Sequence, residues 1–176
     1  SASEAIPQLL LRFVKAEKII ADNISQILLL ISAFLLSKSS GVEFEYMMKP
    51  KKFIDINFIF AVLGNLFVSI GLFGAQPCDK NQNYTIPELV LICLLPPICE
   101  EVLFRGWLFT LLRVQFKKIG AIVITSICFA LAHHNLKFAD NVLIFSYSLW
   151  WCFIQSNTKT IYSSVFMHFL HNSTIA

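Results

Sequence analysis

The feature that most constrains the fold is a series of apolar segments, most of them close to the length of a membrane crossing. A helix needs about 20 apolar residues to span the hydrocarbon core of a bilayer. The segments cover residues 24–36, which residues 19–23 extend, and then 53–75, 86–113, 119–134, 141–155 and 160–176. The last three are short and require tilted helices or a locally thinned bilayer. The pattern predicts an all-α fold, a polytopic transmembrane helical bundle of about six spans, and hence a multi-pass integral membrane protein.

Composition and charge exclude several other classes of protein. Of the 176 residues, 56% are hydrophobic and only 14% are charged, whereas a soluble domain carries about 25% charged residues. The net charge of +3 is spread in clusters between the apolar segments, so no nucleic-acid partner is expected. The five cysteines form no CxxC pair, and all but Cys78 lie inside apolar segments. No disulfide framework is therefore expected.

The chain divides into two parts. In residues 1–85, an amphipathic segment over 6–20 is expected either to lie at the membrane interface or to flank the first of two spans. Residues 86–176 contain the remaining spans and the ionisable residues inside them. The chain begins without Met and ends inside an apolar segment, as expected of a fragment or a processed form with a shortened last helix.

Basic residues between the apolar segments predict an orientation. The groups at 38–52 and 113–118, with Lys159, fall on one side if each segment crosses once. The less basic loops 76–85 and 135–140 then fall on the other side. The positive-inside rule places the first side in the cytosol.

Ionisable residues lie inside the apolar segments of the second part, where lipid is expected. A charged side chain at the bilayer centre costs roughly 2.5–3.5 kcal/mol, so such groups must face one another or a water-filled cavity. The candidates are Glu100, Glu101 and Arg105 in residues 86–113, His133 at the end of the next segment, and His168 with Asn172 in the last. Intramembrane ionisable residues are candidate functional residues by default.

The spacing of these residues predicts that they converge. Glu101 and Arg105 are four positions apart, and so are His168 and Asn172, so each pair shares one helix face. A carboxylate helped by a histidine takes a proton from water, while a second histidine and an amide donate hydrogen bonds to an oxyanion. This set of groups is suited to hydrolysis.

Two consecutive prolines, Pro96 and Pro97, precede the carboxylates. Proline has no amide hydrogen for the carbonyl one turn earlier, so the helix is expected to kink or to restart here. A restart would place residues 98–101 in a first helical turn, where the helix dipole favours carboxylates.

The same residues form three motifs on separate predicted spans: EExxxR at 100–105, FxxxH at 129–133 and HxxxN at 168–172. With these motifs, residues 86–176 resemble the CPBP family of Abi-type membrane proteins. The family comprises CAAX-processing type II prenyl endopeptidases and bacterial relatives, described as intramembrane metalloproteases, bacteriocin-processing-like proteases or bacteriocin self-immunity proteins.

The resemblance implies a membrane endopeptidase with a site that opens toward the cytosol. By position in the motifs, Glu100 would be the general base on the attacking water, with His133 as its partner. His168 and Asn172 would stabilise the oxyanion. The partners would be membrane lipid and a substrate that is either a peptide or a prenylated protein.

The resemblance also assigns supporting roles and leaves the cofactor open. Glu101 and Arg105 would support the site through an ion pair. The family has been described both as metal-dependent and as a metal-free glutamate protease. The sequence has no HExxH zinc helix, but Glu100, His133 and His168 would supply three zinc ligands and leave an open position.

Other interpretations stay open. The Glu101–Arg105 pair can be purely structural, and Trp150 and Trp151 are expected in an interfacial aromatic belt. The chain can also be a non-catalytic immunity or scaffold protein, or a transporter that uses Glu100 and the histidines as a proton relay. A transporter would show inverted repeats, and the sequence shows none. Convergence around one water-sized space would favour hydrolysis, and a linear chain across the bilayer would favour a relay.

Overall fold

The structure, a computed structural model, describes residues 2–42, 58–59, 62–64, 85–133 and 137–175. The regular elements in this part of the chain are all helical: α1 (Ala2–Ser40), α2 (Ile86–Cys93), α3 (Leu95–Glu101), a π-helix (Val102–Leu108), α4 (Phe109–Gln115), α5 (Lys118–Ala132), α6 (Phe138–Thr158) and α7 (Tyr162–Ile175). The predicted all-α class is therefore confirmed for the described residues. The span predicted at 53–75 lies almost entirely outside them.

Helix α1 is continuous over 39 residues, so the amphipathic segment at 6–20 flanks the first predicted span and does not form a separate helix. Asp22 and Asn23, which lie between this segment and the apolar run 24–36, do not break the helix. The amide nitrogen of Asn23 bonds within the helix, since Nδ2 donates to the carbonyl oxygen of Ile19 at 2.6 Å. Among the described residues, Val14–Ser40 is the one stretch long and apolar enough to cross a membrane, and Lys118–Ala132 is apolar but shorter. The number of spans therefore stays a prediction.

The helix restarts at the two prolines, as the sequence predicted. Helix α2 ends at Cys93, Leu94 forms a turn, and α3 begins at Leu95 with the prolines in its first turn. The amides in the first turn of a helix have no carbonyl acceptor within that helix. Proline, which lacks the amide hydrogen, is therefore tolerated there. The expectation that residues 98–101 form this turn is wrong, because the restart has to precede Pro96. Glu100 and Glu101 lie in the second turn after the restart, and the helical backbone continues from them into the π-helix.

A π-helix of seven residues, Val102–Leu108, follows Glu101 directly. π-Helical turns are rare and occur often at functional sites. This one carries Arg105, whose side chain still reaches back to Glu101 four positions earlier. The EExxxR motif therefore spans the junction between α3 and the π-helix.

The helices pack as a bundle around an aromatic core. Helix α1 lies against α3 and the π-helix, and α7 lies against α2, α3 and α6. Helices α5 and α6 pack side by side and run antiparallel, since Nζ of Lys118 at the start of α5 donates to Oδ1 of Asn157 near the end of α6 at 2.6 Å. The core cluster includes Phe104, Phe129, Tyr147, Trp151 and Met167.

Polarity is distributed as expected for a protein surrounded by lipid. Several polar or charged side chains are completely buried: Glu101, Arg105, Thr125, Ser148 and Gln155. Large apolar side chains are exposed on the outside, among them Leu28, Phe34, Leu131 and Phe138. Lipid accommodates such an apolar surface, and the bundle interior shelters the ionisable groups from it.

Candidate active site

Glu100 lies at the end of α3 and directs its two carboxylate oxygens to different helices. Oε1 accepts a hydrogen bond from Nε2 of Gln26 on α1 at 3.3 Å. Oε2 lies 3.9 Å from Nε2 of His133 and 4.0 Å from Nε2 of His168. Within the part of the chain that the structure describes, Oε2 is buried without a hydrogen-bond partner. One oxygen of Glu100 is thus held in place, and the other faces two imidazoles.

His133 stands at the rim of the site, immediately after the last residue of α5. Its Nδ1 lies 2.9 Å from the carbonyl oxygen of Phe129. Because a carbonyl only accepts, this contact puts the proton on Nδ1 and leaves the lone pair of a neutral ring on Nε2, the atom that faces Glu100. The side chain is 31% exposed, against 13% for Glu100. The FxxxH motif therefore fixes the orientation of this imidazole through the backbone and the ring of Phe129, whose centroid lies 4.9 Å away.

His168 on α7 is oriented by the second carboxylate of the EExxxR motif. Its Nδ1 lies 3.0 Å from Oε1 of Glu101, so Nδ1–H donates to that carboxylate and Nε2 faces Glu100. The ring stacks on Trp151 at a centroid distance of 4.4 Å and meets the edge of Phe129 at 5.8 Å. A buried carboxylate that holds Nδ1–H fixes the orientation of the ring.

A buried chain of hydrogen bonds fixes Glu101 in turn. Oε1 of Glu101 accepts from Nη1 of Arg105 at 2.9 Å, and both side chains are completely buried. Nη2 of Arg105 donates to Oγ of Ser148 on α6 at 2.7 Å. The guanidinium also lies 4.3 Å from the ring centroid of Phe129, close enough for a cation–π contact. The ion pair predicted from the sequence is present, and it extends at one end to α6 and at the other end to His168.

Asn172 is not joined to the other candidate residues by any hydrogen bond between described residues. It lies one turn after His168 on α7 and is half-buried. Its backbone carbonyl faces the thiol of Cys93, with Sγ 4.0 Å from the oxygen. A role for its amide in stabilising an oxyanion stays a prediction.

Comparison with protein families identifies the chain. The model of the type II CAAX prenyl endopeptidase Rce1-like family matches residues 82–174, which is more than half of the chain and contains all three motifs. The chain belongs to the Rce1-like family. The family predicted from the motifs is therefore confirmed. Neither a comparison with curated proteins nor one with solved structures gives a match.

Membership in the Rce1-like family establishes the general activity and location. The chain is a member of a family of integral membrane proteases of the CAAX-processing type. Four of the residues that converge in the structure, Glu100, Glu101, His133 and His168, lie within the matched residues. Gln26, which holds one oxygen of Glu100, lies outside them.

The placement of the candidate residues gives no support to a metal ion. Two ligands of one tetrahedral zinc stand roughly 3.3 Å apart, given zinc–ligand distances near 2.0–2.1 Å. Oε2 of Glu100 is 3.9 and 4.0 Å from the Nε2 atoms of His133 and His168. Across the described residues, no group of three His, Cys, Asp or Glu side chains is placed to hold a metal. No catalytic step is therefore assigned to a metal here.

Three residues of this Rce1-like site were not found from the sequence. Gln26 lies in the apolar segment 24–36, where its polar side chain was the available signal. Ser148 is a small hydroxyl in an aromatic segment and matches no motif. Trp151 was expected at the membrane interface, but it is buried and stacked on His168, whereas its neighbour Trp150 is exposed.

Proposed function

We propose that the chain is an integral-membrane endopeptidase that hydrolyses a peptide bond close to the prenylated end of a membrane-associated substrate. The observation that carries the proposal is the position of Glu100 Oε2, about equally far from Nε2 of His133 and of His168. A gap of this size between polar atoms is bridged by one water molecule. We propose that the three groups share one such water molecule, and their proximity supports hydrolysis over the proton relay considered as an alternative.

In the proposed first step, Glu100 is the general base. The water donates one hydrogen to Oε2 of Glu100 and the other to the lone pair on Nε2 of His133. As the water oxygen bonds to the carbonyl carbon of the peptide, its proton moves to Glu100, and the carbonyl oxygen becomes an oxyanion. Gln26 keeps the other oxygen of Glu100 occupied, so the proton goes to the oxygen that faces the site.

His168 is proposed to stabilise the oxyanion. In its protonated form it keeps Nδ1–H on Glu101 and presents Nε2–H toward the space beside Glu100. A donor already aligned with the developing negative charge contributes without reorganising during the reaction. Asn172 is proposed as a second donor on the basis of its position in the HxxxN motif.

The second step returns the proton. The carbon–nitrogen bond breaks as the leaving amine takes the proton from Glu100, with His133 as the neighbouring group that shares it. The products are a carboxylic acid and an amine, which ionise to a carboxylate and an ammonium on release, and the site regains its starting protonation. The whole cycle uses only water and residues of this chain.

For the membrane arrangement, we propose a multi-pass protein with two parts, residues 1–85 and residues 86–176. The division follows the sequence pattern, in which the three motifs with Glu100, His133 and His168 all lie in the spans of the second part. The exposed apolar surfaces of α1 and α6 support contact with lipid. The lipid group of a modified substrate would reach the site from the bilayer without being exposed to water.

The test is cleavage of a farnesylated CAAX peptide by the purified protein in lipid nanodiscs. Glu100→Gln is expected to lower kcat roughly 10²–10⁴-fold, because it removes the general base. Glu17→Gln is the matched control, since this carboxylate is exposed on the surface of α1. A chelator is expected to leave turnover unchanged. Unchanged turnover of Glu100→Gln would reject the proposal, and cleavage of the unlipidated peptide at the same rate would reject the prenylated substrate.

A further inference from the structure

Gln26 connects the first helix to the site, although it lies far outside the residues that match the family model. Its Nε2 is 3.3 Å from Oε1 of Glu100. Since a carboxylate only accepts, the amide must present its nitrogen to Glu100. The amide oxygen, Oε1 of Gln26, is buried and has no partner among the described residues. The side chain is thus oriented by the carboxylate alone.

Gln26 places an amide side chain within an apolar segment of α1. Helix α1 is otherwise lined with exposed apolar side chains on both sides of this position, such as Ile24, Ile27 and Leu28. A polar side chain at membrane depth is costly unless it is paired. At Gln26 the partner is the carboxylate that the proposed mechanism uses.

Contacts on both sides of Gln26 fix α1 against the segment that carries Glu100. Toward the start of the helix, Nζ of Lys15 lies 3.5 Å from Oε1 of Glu88 on α2. At its end, Nε1 of Trp107 on the π-helix donates to Oγ of Ser40 at 3.0 Å.

Packing secures α1 between these two polar contacts. Ala33 is completely buried against Val102 and Ile161. The register of α1 is therefore held along its length, and Gln26 is held opposite Glu100.

We infer that Gln26 is a positioning residue for Glu100, and that α1 therefore belongs to the active site. This inference rests on the proposed function of Glu100 as general base. By binding Oε1, Gln26 limits rotation of the carboxylate and directs Oε2 toward the two imidazoles. Precise orientation of a catalytic group governs the rate of the chemical step more than the binding of substrate.

The decisive variant is Gln26→Met, which keeps the length and approximate volume of the side chain and removes the donor. Its kcat for the farnesylated peptide is expected to fall about 10-fold or more, with KM and the melting temperature unchanged. The matched control is Asn23→Leu, which removes an amide from the same helix. That amide binds only within α1, to the carbonyl of Ile19, so kcat is expected to stay at the wild-type value.

A double-mutant cycle separates positioning from a structural role. In a Glu100→Gln background, measured by single turnover, Gln26→Met is expected to cause no further loss, because the carboxylate that it positions is already gone. A wild-type kcat in Gln26→Met, or an equal loss in both backgrounds, would overturn the inference while leaving the proposed function intact. If Glu100→Gln itself retains activity, the proposed function fails and the inference fails with it.

Discussion

Glu101 shows how the role of a side chain depends on partners far away in the sequence. Its spacing to Arg105 predicted an ion pair, and the pair is present at 2.9 Å. The structure adds His168, which lies 67 positions later and donates to the same oxygen at 3.0 Å. Glu101 therefore supports the site by orienting an imidazole as well as by neutralising a buried cation.

Removing the charge of Glu101 is expected to destabilise the bundle strongly. In Glu101→Gln the buried guanidinium of Arg105 loses its counter-ion, which costs about 3–5 kcal/mol when one partner of a buried pair is removed. In the double variant Glu101→Gln/Arg105→Met both charges are gone, so most of that loss is expected to be recovered. Thermal unfolding in detergent measures both effects.

Activity is expected to behave differently from stability in these variants. Both lack the carboxylate that holds Nδ1–H of His168, so peptide cleavage is expected to stay low even where the melting temperature recovers. If the double variant melts no higher than Glu101→Gln, the stability lost in Glu101→Gln does not come from an unpaired charge on Arg105. Wild-type cleavage by either variant would contradict the role of Glu101 in orienting His168.

The segment from α2 to the π-helix shows how helix breaks position a site. The restart at Leu95 comes just before Glu100, and the π-helix directly after Glu101 changes the spacing of side chains along the following turn. The prolines made the restart predictable, because their missing amide hydrogens are a local property of the chain. No residue pattern in the sequence predicted the π-helix, whose residues 102–108 pack against α1 and α5.

Replacing both prolines tests whether the restart matters for catalysis. In Pro96→Ala/Pro97→Ala, the new amides can bond to the carbonyls one turn earlier, so α2 and α3 are expected to merge into one straighter helix. Glu100 then moves relative to His133 and His168, and kcat is expected to fall more than 10-fold while the melting temperature holds or rises.

The control for this experiment is Pro87→Ala. Pro87 lies in the first turn of α2, where it interrupts no helix, so its replacement is expected to leave kcat unchanged. Full activity of the double proline variant would mean that the break does not set the position of Glu100.

The packing of the helices brings several basic residues to one end of the bundle. Ser40 at the end of α1 contacts Trp107, and Lys118 at the start of α5 contacts Asn157 near the end of α6. These contacts place at one end those basic residues predicted to be cytosolic that lie in the described part of the chain: Lys38, Arg113, Lys117, Lys118 and Lys159. His133 lies at the opposite end of α5, so the rim of the site and the basic end are separated by the length of that helix.

Labelling from one side of the membrane tests this arrangement. Lys117 and Lys137 are both exposed and lie at opposite ends of the α5–α6 pair. With the five native cysteines replaced by alanine, Lys117→Cys and Lys137→Cys are expected to react with an impermeant maleimide from opposite sides, with Lys117→Cys on the cytosolic side.

The labelling result also tests to which side of the membrane the site opens. The family resemblance implies a site that opens toward the cytosol, whereas the positive-inside rule puts the His133 end on the other side. Labelling of both cysteines from the same side would contradict the helix arrangement. Labelling of Lys137→Cys from the cytosol, with Lys117→Cys outside, would favour the family expectation over the charge rule.

The all-helical class, the family and the six candidate residues followed from local properties of the chain. Apolar runs, prolines and four-residue spacings are visible in the sequence because each concerns neighbours within one helix. The partners of those residues did not follow, because Gln26, Ser148 and Trp151 reach the site from helices far away in sequence. Only the packing of α1, α6 and α7 around the EExxxR segment fixes which oxygen of Glu100 is held and which faces the imidazoles. Contacts between distant helices depend on how whole surfaces fit together, and no short pattern encodes that fit.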